Sequence, residues 1–328
     1  MSVSENTLQS IPKEQLTGFY ERMLLIRRFE ERIINLFASG KLPGFVHLYI
    51  GQEAIAVGVC AALRDDDYIT STHRGHGHVI AKGGDVRRMM AEIYGKVTGY
   101  CKGKGGSMHI ADMSIGMLGA NGIVCGGVPI AVGAAYGAAK IRHTDQVAAP
   151  FFGDGATNEG AFHEAVNMAS AWNLPVVFVC ENNLYGVGTR FGRVSSSEEI
   201  VRRAEGYGIE AHSLDGNDVL AVYETMLESV KRCRKGEGPT LLECKTWRHR
   251  GHFEGENPSY MDQDEHKAWL EKDPIKQFGD RLTESGVCTK YEIDELNNLV
   301  MSRIDEAVEF AESSAFPNPE DALCDMYI

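Results

Sequence analysis

Two short polar clusters stand at the ends of two apolar runs. Residues 147–152 (VAAPFF) lead into Gly153-Asp154-Gly155, and residues 175–180 (PVVFVC) lead into Glu181-Asn182-Asn183. Asp154 offers a hard carboxylate oxygen and Asn183 an amide carbonyl. With waters and phosphate oxygens, they can complete the octahedron that Mg²⁺ demands. Between them, residues 158–172 set Phe162, Ala165, Val166 and Ala169 at helical spacing. The stretch therefore predicts strand, glycine turn, helix, strand, which is one βαβ crossover of a parallel sheet. Both clusters then lie at carboxyl ends of parallel strands, where open α/β sheets bind ligands. The free N–H groups of the helix that opens after Gly155 favour an anion at the same spot. A metal-bound diphosphate is the ligand this chemistry suits. A lone GDG is also ordinary turn chemistry; the Asn-Asn pair, with 26 residues (156–181) between it and Gly155, makes the pattern specific.

Three further stretches carry reactive side chains. Residues 72–78 (THRGHGH) bring three histidines and Arg74 to the end of a short strand expected at 68–72. Zinc fits poorly, because the set lacks a carboxylate or cysteine and Arg74 would repel a cation. An arginine beside a glycine suits a phosphate clamp. Residues 99–107 (GYCKGKGGS) suggest a nucleotide-binding glycine loop, but Lys104 is followed by Gly105 where that motif needs Ser or Thr. A flexible loop is the expectation. Residues 247–256 (WRHRGHFEGE) form a polar, glycine-bearing loop that contains His252.

The elements that must position these residues follow from periodicity. Leu16, Phe19, Tyr20, Met23, Leu24, Phe29, Ile33, Leu36 and Phe37 predict a long amphipathic helix over 13–39, stopped by Gly40. Helices are expected at 52–63, 85–94 and 217–234, strands at 209–214 and 240–245, and a helix start at 195–199. A helical tail is expected over about 263–328, with 290–312 its longest piece. In 121–142, Pro129 sits in the first turn of a helix. Gly126, Gly127, Gly133, Ala134, Gly137 and Ala138 leave one face there nearly bare, open to a cofactor ring or to a packed helix. The fold class is α/β, a mostly parallel sheet flanked by helices, in a single domain over 1–328.

Composition excludes several classes. The chain has 328 residues, is 43% hydrophobic and carries 33 − 46 = −13 formal charges. It can bury a sizeable core, and its charge argues against nucleic acid or an anionic membrane as partner. The start, MSVSENTLQS, lacks the basic and apolar regions of a secretory signal. No apolar run approaches the roughly 20 residues of a membrane helix. Eight cysteines without a C-x-x-C pair read as thiols in a reducing compartment, so the expected location is the cytoplasm.

Taken together, GFVHLYIGQEA (44–54), THRGHGH (72–78), KGKGGSMH (102–109), NGIV (121–124), GDGATNEG (153–160), ENNLYG (181–186) and RGHFEG (250–255) resemble one family. It is the α subunit of the thiamine-diphosphate-dependent component of acetoin and 2-oxoacid (pyruvate-type) dehydrogenase complexes. The resemblance covers roughly residues 15–310 and is strongest to the acetoin branch. It implies a thiamine-diphosphate-binding fold in which Asp154, Asn183 and the backbone carbonyl of Tyr185 hold Mg²⁺. Arg74, Gly155 and Ala156 would meet the diphosphate, with His73 where pyruvate-type members commonly have Tyr. The backbone of Gly122 and Val124 would face the aminopyrimidine. His47 and His252 would line the reaction centre as catalytic groups, His252 also meeting the cofactor.

The resemblance further implies half a catalytic site. A β subunit would complete it in an α₂β₂ heterotetramer, and the two-carbon product would pass to a lipoyl acyltransferase core. Histidines near neutral pKa are expected to move the protons. Two departures bear on function. Glu159 stands where pyruvate-type members commonly have Gln, so it is expected to point away from the diphosphate or be screened. Phe253 stands where mitochondrial relatives carry a phosphorylatable Ser. His73 in place of Tyr and Phe253 in place of Ser lean the substrate toward neutral acetoin. Pyruvate, whose carboxylate calls for donors or positive charge, is the alternative. An ordinary Mg²⁺-dependent nucleotide-binding protein would need a G-x-G-x-x-G or P-loop motif, and neither is present. A non-catalytic paralogue would be expected to have lost Asp154, Asn183 or His252.

Overall fold

The computed structural model describes Leu8 and residues 10–325. Its central sheet runs in the order β1 (Tyr68–Thr70), β2 (Ala148–Gly153), β3 (Val177–Asn182), β7 (Thr240–Lys245), β6 (Glu210–Asp215), with every pairing parallel. A two-residue hairpin, β4 (Tyr185–Gly186) and β5 (Thr189–Arg190), follows β3. β2, β3 and β7 are buried nearly throughout, which is why they read as unbroken apolar runs and not as an alternation. The pleat divides the interior in two. Along β3, Val177 and Val179 enter the larger core while Phe178 and Cys180 enter the smaller.

The larger core is closed by α1 (Lys13–Ala38), α2 (Glu53–Ala61), α3 (Gly75–Ala81), α4 (Val86–Ile93) and α7 (Val219–Arg234). In α1, Leu16, Phe19, Met23, Ile26, Phe29 and Ile33 recur at three- and four-residue steps and are buried. The smaller core packs α5 (Gly127–Tyr136) and α6 (Gly160–Ala171) against the other face. The C-terminal part adds α8 (Gln263–Leu270), α9 (Pro274–Glu284) and α10 (Lys290–Ser313), the last opened by a Thr289/Glu292 capping box. No helix among the described residues is long and apolar enough to cross a membrane.

Two segments differ from the sequence reading. Residues 75–78, the second half of the polar cluster expected at the strand end, instead open the helix α3, which runs on to Ala81. Glycine and histidine are poor helix formers, but every residue of α3 is buried, so packing overrides propensity. Residues 99–107, expected to be flexible, are wrapped around the Glu92 carboxylate of α4. Glu92 is fully buried. Its Oε2 accepts the N–H groups of Cys101 (2.7 Å) and Gly103 (2.9 Å), and its Oε1 accepts those of Gly105 (2.8 Å) and Gly106 (3.0 Å). The glycine loop is an anion nest whose anion is an internal side chain.

Candidate active site

β2 and β3 pair Gly153 with Glu181, so the residues just beyond them, Asp154 and Asn183, emerge side by side at the carboxyl edge of the sheet. A cavity of about 730 Å³, its open mouth included, lies there. It is lined by His73, Arg74, Val124, Asp154, Gly155, Ala156, Asn183, Tyr185 and His252, all singled out from sequence, and by Arg248 and Glu181, which were not. Gly122 is not itself in the lining but sits between Asn121 and Ile123, which are. His47 stands behind the wall, its ring 4.9 Å from that of His73 and 5.0 Å from that of His252.

Asp154 has its Cα at the start of a 3-10 turn, Asp154–Asn158, and α6 begins only at Gly160. The helix therefore opens later than expected, and the 3-10 turn lies between it and the cavity. Asp154 is 1% exposed, and its Oδ2 has no hydrogen-bond partner among the described residues. Burial pushes its carboxyl up to about 6. A buried, unpartnered carboxylate oxygen is costly, and a divalent cation would neutralise it. Asn183 lines the same cavity, and Tyr185 lies two residues on. The loop carrying them is strained, with Leu184 (φ 69) and Val187 (φ 53) both left-handed, a conformation that bulky residues keep only when the surroundings impose it.

Two guanidiniums supply the opposite charge. Arg74 is 4% exposed; it donates from Nη1 to the Leu48 carbonyl (2.9 Å) and from Nη2 to that of His252 (2.6 Å). Arg248 is 2% exposed; it donates to the Val187 carbonyl (2.9 Å) and the Tyr260 hydroxyl (3.3 Å), while its Nε has no partner among the described residues. Neither has a carboxylate within ion-pair distance among the described residues. Burial, reinforced by the proximity of Arg248, pulls Arg74 down to about 9. Buried cations without a counter-ion are unfavourable, so the floor of the cavity is built for an anion. The residues present thus fit both halves of a Mg²⁺–diphosphate: hard oxygens for the metal, paired arginines for the phosphates.

The three histidines of residues 72–78 diverge. His73 joins His47 and His252 at the cavity. His76 lies between Glu30 (3.0 Å) and Ser107 (2.9 Å), and His78 between Glu181 (3.0 Å) and Ser71 (2.6 Å). Without a bound anion, the cavity histidines lie below the near-neutral range expected of them. Burial first, then Arg74, holds His47 at about 4, His73 at about 2 and His252 at about 3, so all three are neutral at pH 7. The tautomer of His252 follows from its neighbours. Its Nδ1 meets Arg74 Nη2 at 3.1 Å and Arg248 Nη1 at 3.2 Å. Guanidinium groups only donate, so Nδ1 is the acceptor and the proton sits on Nε2. Glu159 is exposed and outside the lining, as expected for a carboxylate that must not face phosphate.

Comparison with known proteins extends this picture. The family model described as dehydrogenase E1 component matches residues 21–320. The α subunit of acetoin:2,6-dichlorophenolindophenol oxidoreductase from Bacillus subtilis is 52% identical over 320 residues, 97% of this chain and 95% of that protein. Its counterpart from Cupriavidus necator is 49% identical over 321 residues, 97% and 96% of the two chains. The pyruvate dehydrogenase E1 component α subunit of Porphyra purpurea is 40% identical over 315 residues, 94% and 92% of the two.

Proposed function

The chain belongs to the dehydrogenase E1 component family, and from that premise we propose that it is the α subunit of an acetoin-cleaving component that uses thiamine diphosphate and Mg²⁺. The observation that carries the cofactor reading is the cavity itself, which is lined by the orphaned Asp154 Oδ2 and, without carboxylate partners among the described residues, by Arg74 and Arg248. Asp154, Asn183 and the Tyr185 carbonyl would hold the metal, and Arg74 and Arg248 the diphosphate, with the backbone at Gly155 and Ala156 alongside. The backbone at Gly122 and Val124 would meet the aminopyrimidine. When bound, the cofactor supplies a nucleophilic ring carbon that adds to a carbonyl and takes up the electron pair released by C–C cleavage.

The chain's own residues do the rest. His252 presents an Nε2–H that can donate to a substrate oxygen. His47 and His73 are neutral imidazoles able to accept a proton from a hydroxyl. An anion seated on Arg74 and Arg248 would screen the charges that depress these rings and raise their pKa values toward the working range. Glu181, the carboxylate of the lining besides Asp154, is engaged by Tyr49 and His78, so among the described residues no further carboxylate of the lining is left for the pyrimidine, and the rim exposes Ile123 (74%) and Val124 (53%). Both features favour a β chain closing the mouth, as an α₂β₂ assembly. The helix face from Pro129 to Lys140, with Ile130 and Tyr136 exposed beside Met168 and Trp172 of the α6 segment, is the candidate contact. Eight free cysteines suit a cytoplasmic location. A lipoyl acyltransferase core is the proposed acceptor of the two-carbon unit.

Acetoin is favoured over pyruvate by the 52% and 49% identities against 40%, and by Phe253, whose ring stands 6.3 Å from that of His47 and brings apolar surface to the histidine cluster. The test is the reconstituted α and β pair with 2,6-dichlorophenolindophenol as electron acceptor, comparing acetoin with pyruvate and branched 2-oxoacids. Acetoin is expected to give the higher kcat/KM. A value for pyruvate roughly ten times that for acetoin, about 1.4 kcal/mol of transition-state preference, would move the chain to the pyruvate branch.

A further inference from the structure

Asn183 can serve a cation only through Oδ1, and an amide reversed by 180° would present an NH₂ group instead. The side chain behind it is Gln52, fully buried and outside the cavity lining. Asn183 Nδ2 donates to Gln52 Oε1 at 3.0 Å, and the Tyr185 N–H donates to Asn183 Oδ1 at 3.4 Å. A reversed Asn183 would set two donors face to face at Tyr185 and two acceptors face to face at Gln52. The orientation is therefore fixed from both ends. It has a cost at Gln52, whose Nε2 is buried without a partner among the described residues. Turning both amides over would bring that NH₂ onto Asn183, but would aim the Asn183 NH₂ at the space where a cation needs oxygen.

Gln52 is itself held rigidly. Gly51 has φ +102, and a Cβ there would run into the Trp247 carbonyl. The Gly51 N–H donates to Glu53 Oε2 (3.0 Å), and Glu53 Oε1 accepts from Arg27 Nε (2.6 Å). Thr246 Oγ1 donates to the Gly51 carbonyl at 3.2 Å. The Gly-Gln-Glu triplet is thus a braced bracket that presents the Gln52 amide oxygen to Asn183.

We propose that Gln52 is a positioning residue of the metal centre: by accepting from Asn183 Nδ2 it keeps Asn183 Oδ1 turned into the cavity lined by Asp154. This rests on the Mg²⁺ reading above. Partners of this kind commonly change metal affinity by about 10–100-fold when removed.

The test titrates the full chain with Mn²⁺ in the presence of thiamine diphosphate, reading free Mn²⁺ by electron paramagnetic resonance. Cofactor-free melting curves run alongside. Gln52→Met keeps the length and removes the acceptor; Gln52→Glu keeps an oxygen toward Asn183. Gln52→Met is expected to weaken Mn²⁺ binding by about 10-fold or more with little change in melting, and Gln52→Glu to bind at least as tightly as the parent. A Gln52→Glu variant that folds yet binds worse than Gln52→Met would mean that Gln52 donates to Asn183, and would overturn the proposal. Parent-like binding by Gln52→Met, with binding abolished by Asp154→Asn, overturns it while leaving the metal reading intact. Unchanged binding in Asp154→Asn removes the metal reading and the proposal with it. If Gln52→Met does not fold, the sign of the Gln52→Glu effect still decides.

Discussion

Replacing Asp154 by Asn should make the cofactor-free protein more stable while it destroys the site. The carboxyl is 1% exposed, and burial raises it from an ordinary 3.8 to about 6. At neutral pH its ionisation in the fold therefore costs about 3 kcal/mol. The folded value lies above the unfolded one, so the protonated form is favoured in the fold. The penalty is absent below about pH 4, accrues between about 4 and 6, and is complete above that window. Asparagine keeps the shape and cannot ionise. In calorimetry of metal-stripped protein at pH 7.5, Asp154→Asn should melt roughly 5 °C higher than the parent, and the gap should narrow as pH falls below about 6 and close only near pH 4. Calorimetric titration with thiamine diphosphate and Mg²⁺ should show binding lost. A variant that melts at or below the parent at pH 7.5, with no pH dependence of the difference, would refute the claim that this carboxylate is uncompensated without metal.

Other outcomes follow from the same geometry. His252→Ala removes the Nε2–H proposed to meet substrate and should lower turnover roughly 10²–10⁴-fold at saturating substrate, with Mg²⁺-dependent cofactor binding measured by titration kept within a few-fold. Glu92→Gln leaves a single oxygen for four backbone donors, and with charged hydrogen bonds at about 1.5–3 kcal/mol each it should lower stability by roughly 3 kcal/mol, read as a reduced urea midpoint at unchanged slope. The purified chain alone should show no acetoin cleavage at saturating cofactor, activity appearing only on adding the β partner; full activity without it would remove the shared-site reading.

What the sequence revealed, and what it hid, divides along the range of the forces involved. β2, β3 and β7 were legible because strands buried on both faces must be apolar throughout, and α1 because its stripe repeats over many turns. Asp154 and Asn183 were legible from spacing, since a βαβ unit returns its second strand beside its first. Arg248 was hidden. It sits in a stretch that reads as a polar loop, and nothing local distinguishes a solvated arginine from a buried one. Its position just past the end of β7, within Arg-His-Arg-Gly-His, was the one available signal. The depressed histidines were hidden for the same reason, because burial, the first cause of their low pKa values, is set by the fold, and so is the convergence of Arg74 and Arg248 on them. The order of residues 99–107 depends on Glu92, which the glycine pattern does not reveal.

The site thus keeps charges of both signs apart. Arg248 stabilises the Asp154 carboxylate from a distance, yet the two form no ion pair among the described residues. A direct salt bridge between them would satisfy both groups and close the cavity. Separation leaves each undercompensated, and a ligand carrying a cation and an anion in one body is what relieves both. The same logic accounts for the strained Leu184 and Val187 backbone and for the idle Gln52 amide nitrogen. Each lowers the stability of the empty protein and spares the bound complex a reorganisation. Binding of Mg²⁺ with a diphosphate should therefore stabilise this chain by more than either ion alone, and orthophosphate with Mg²⁺, which offers one phosphate to the metal and the arginines in place of two, should raise the melting temperature far less than pyrophosphate with Mg²⁺.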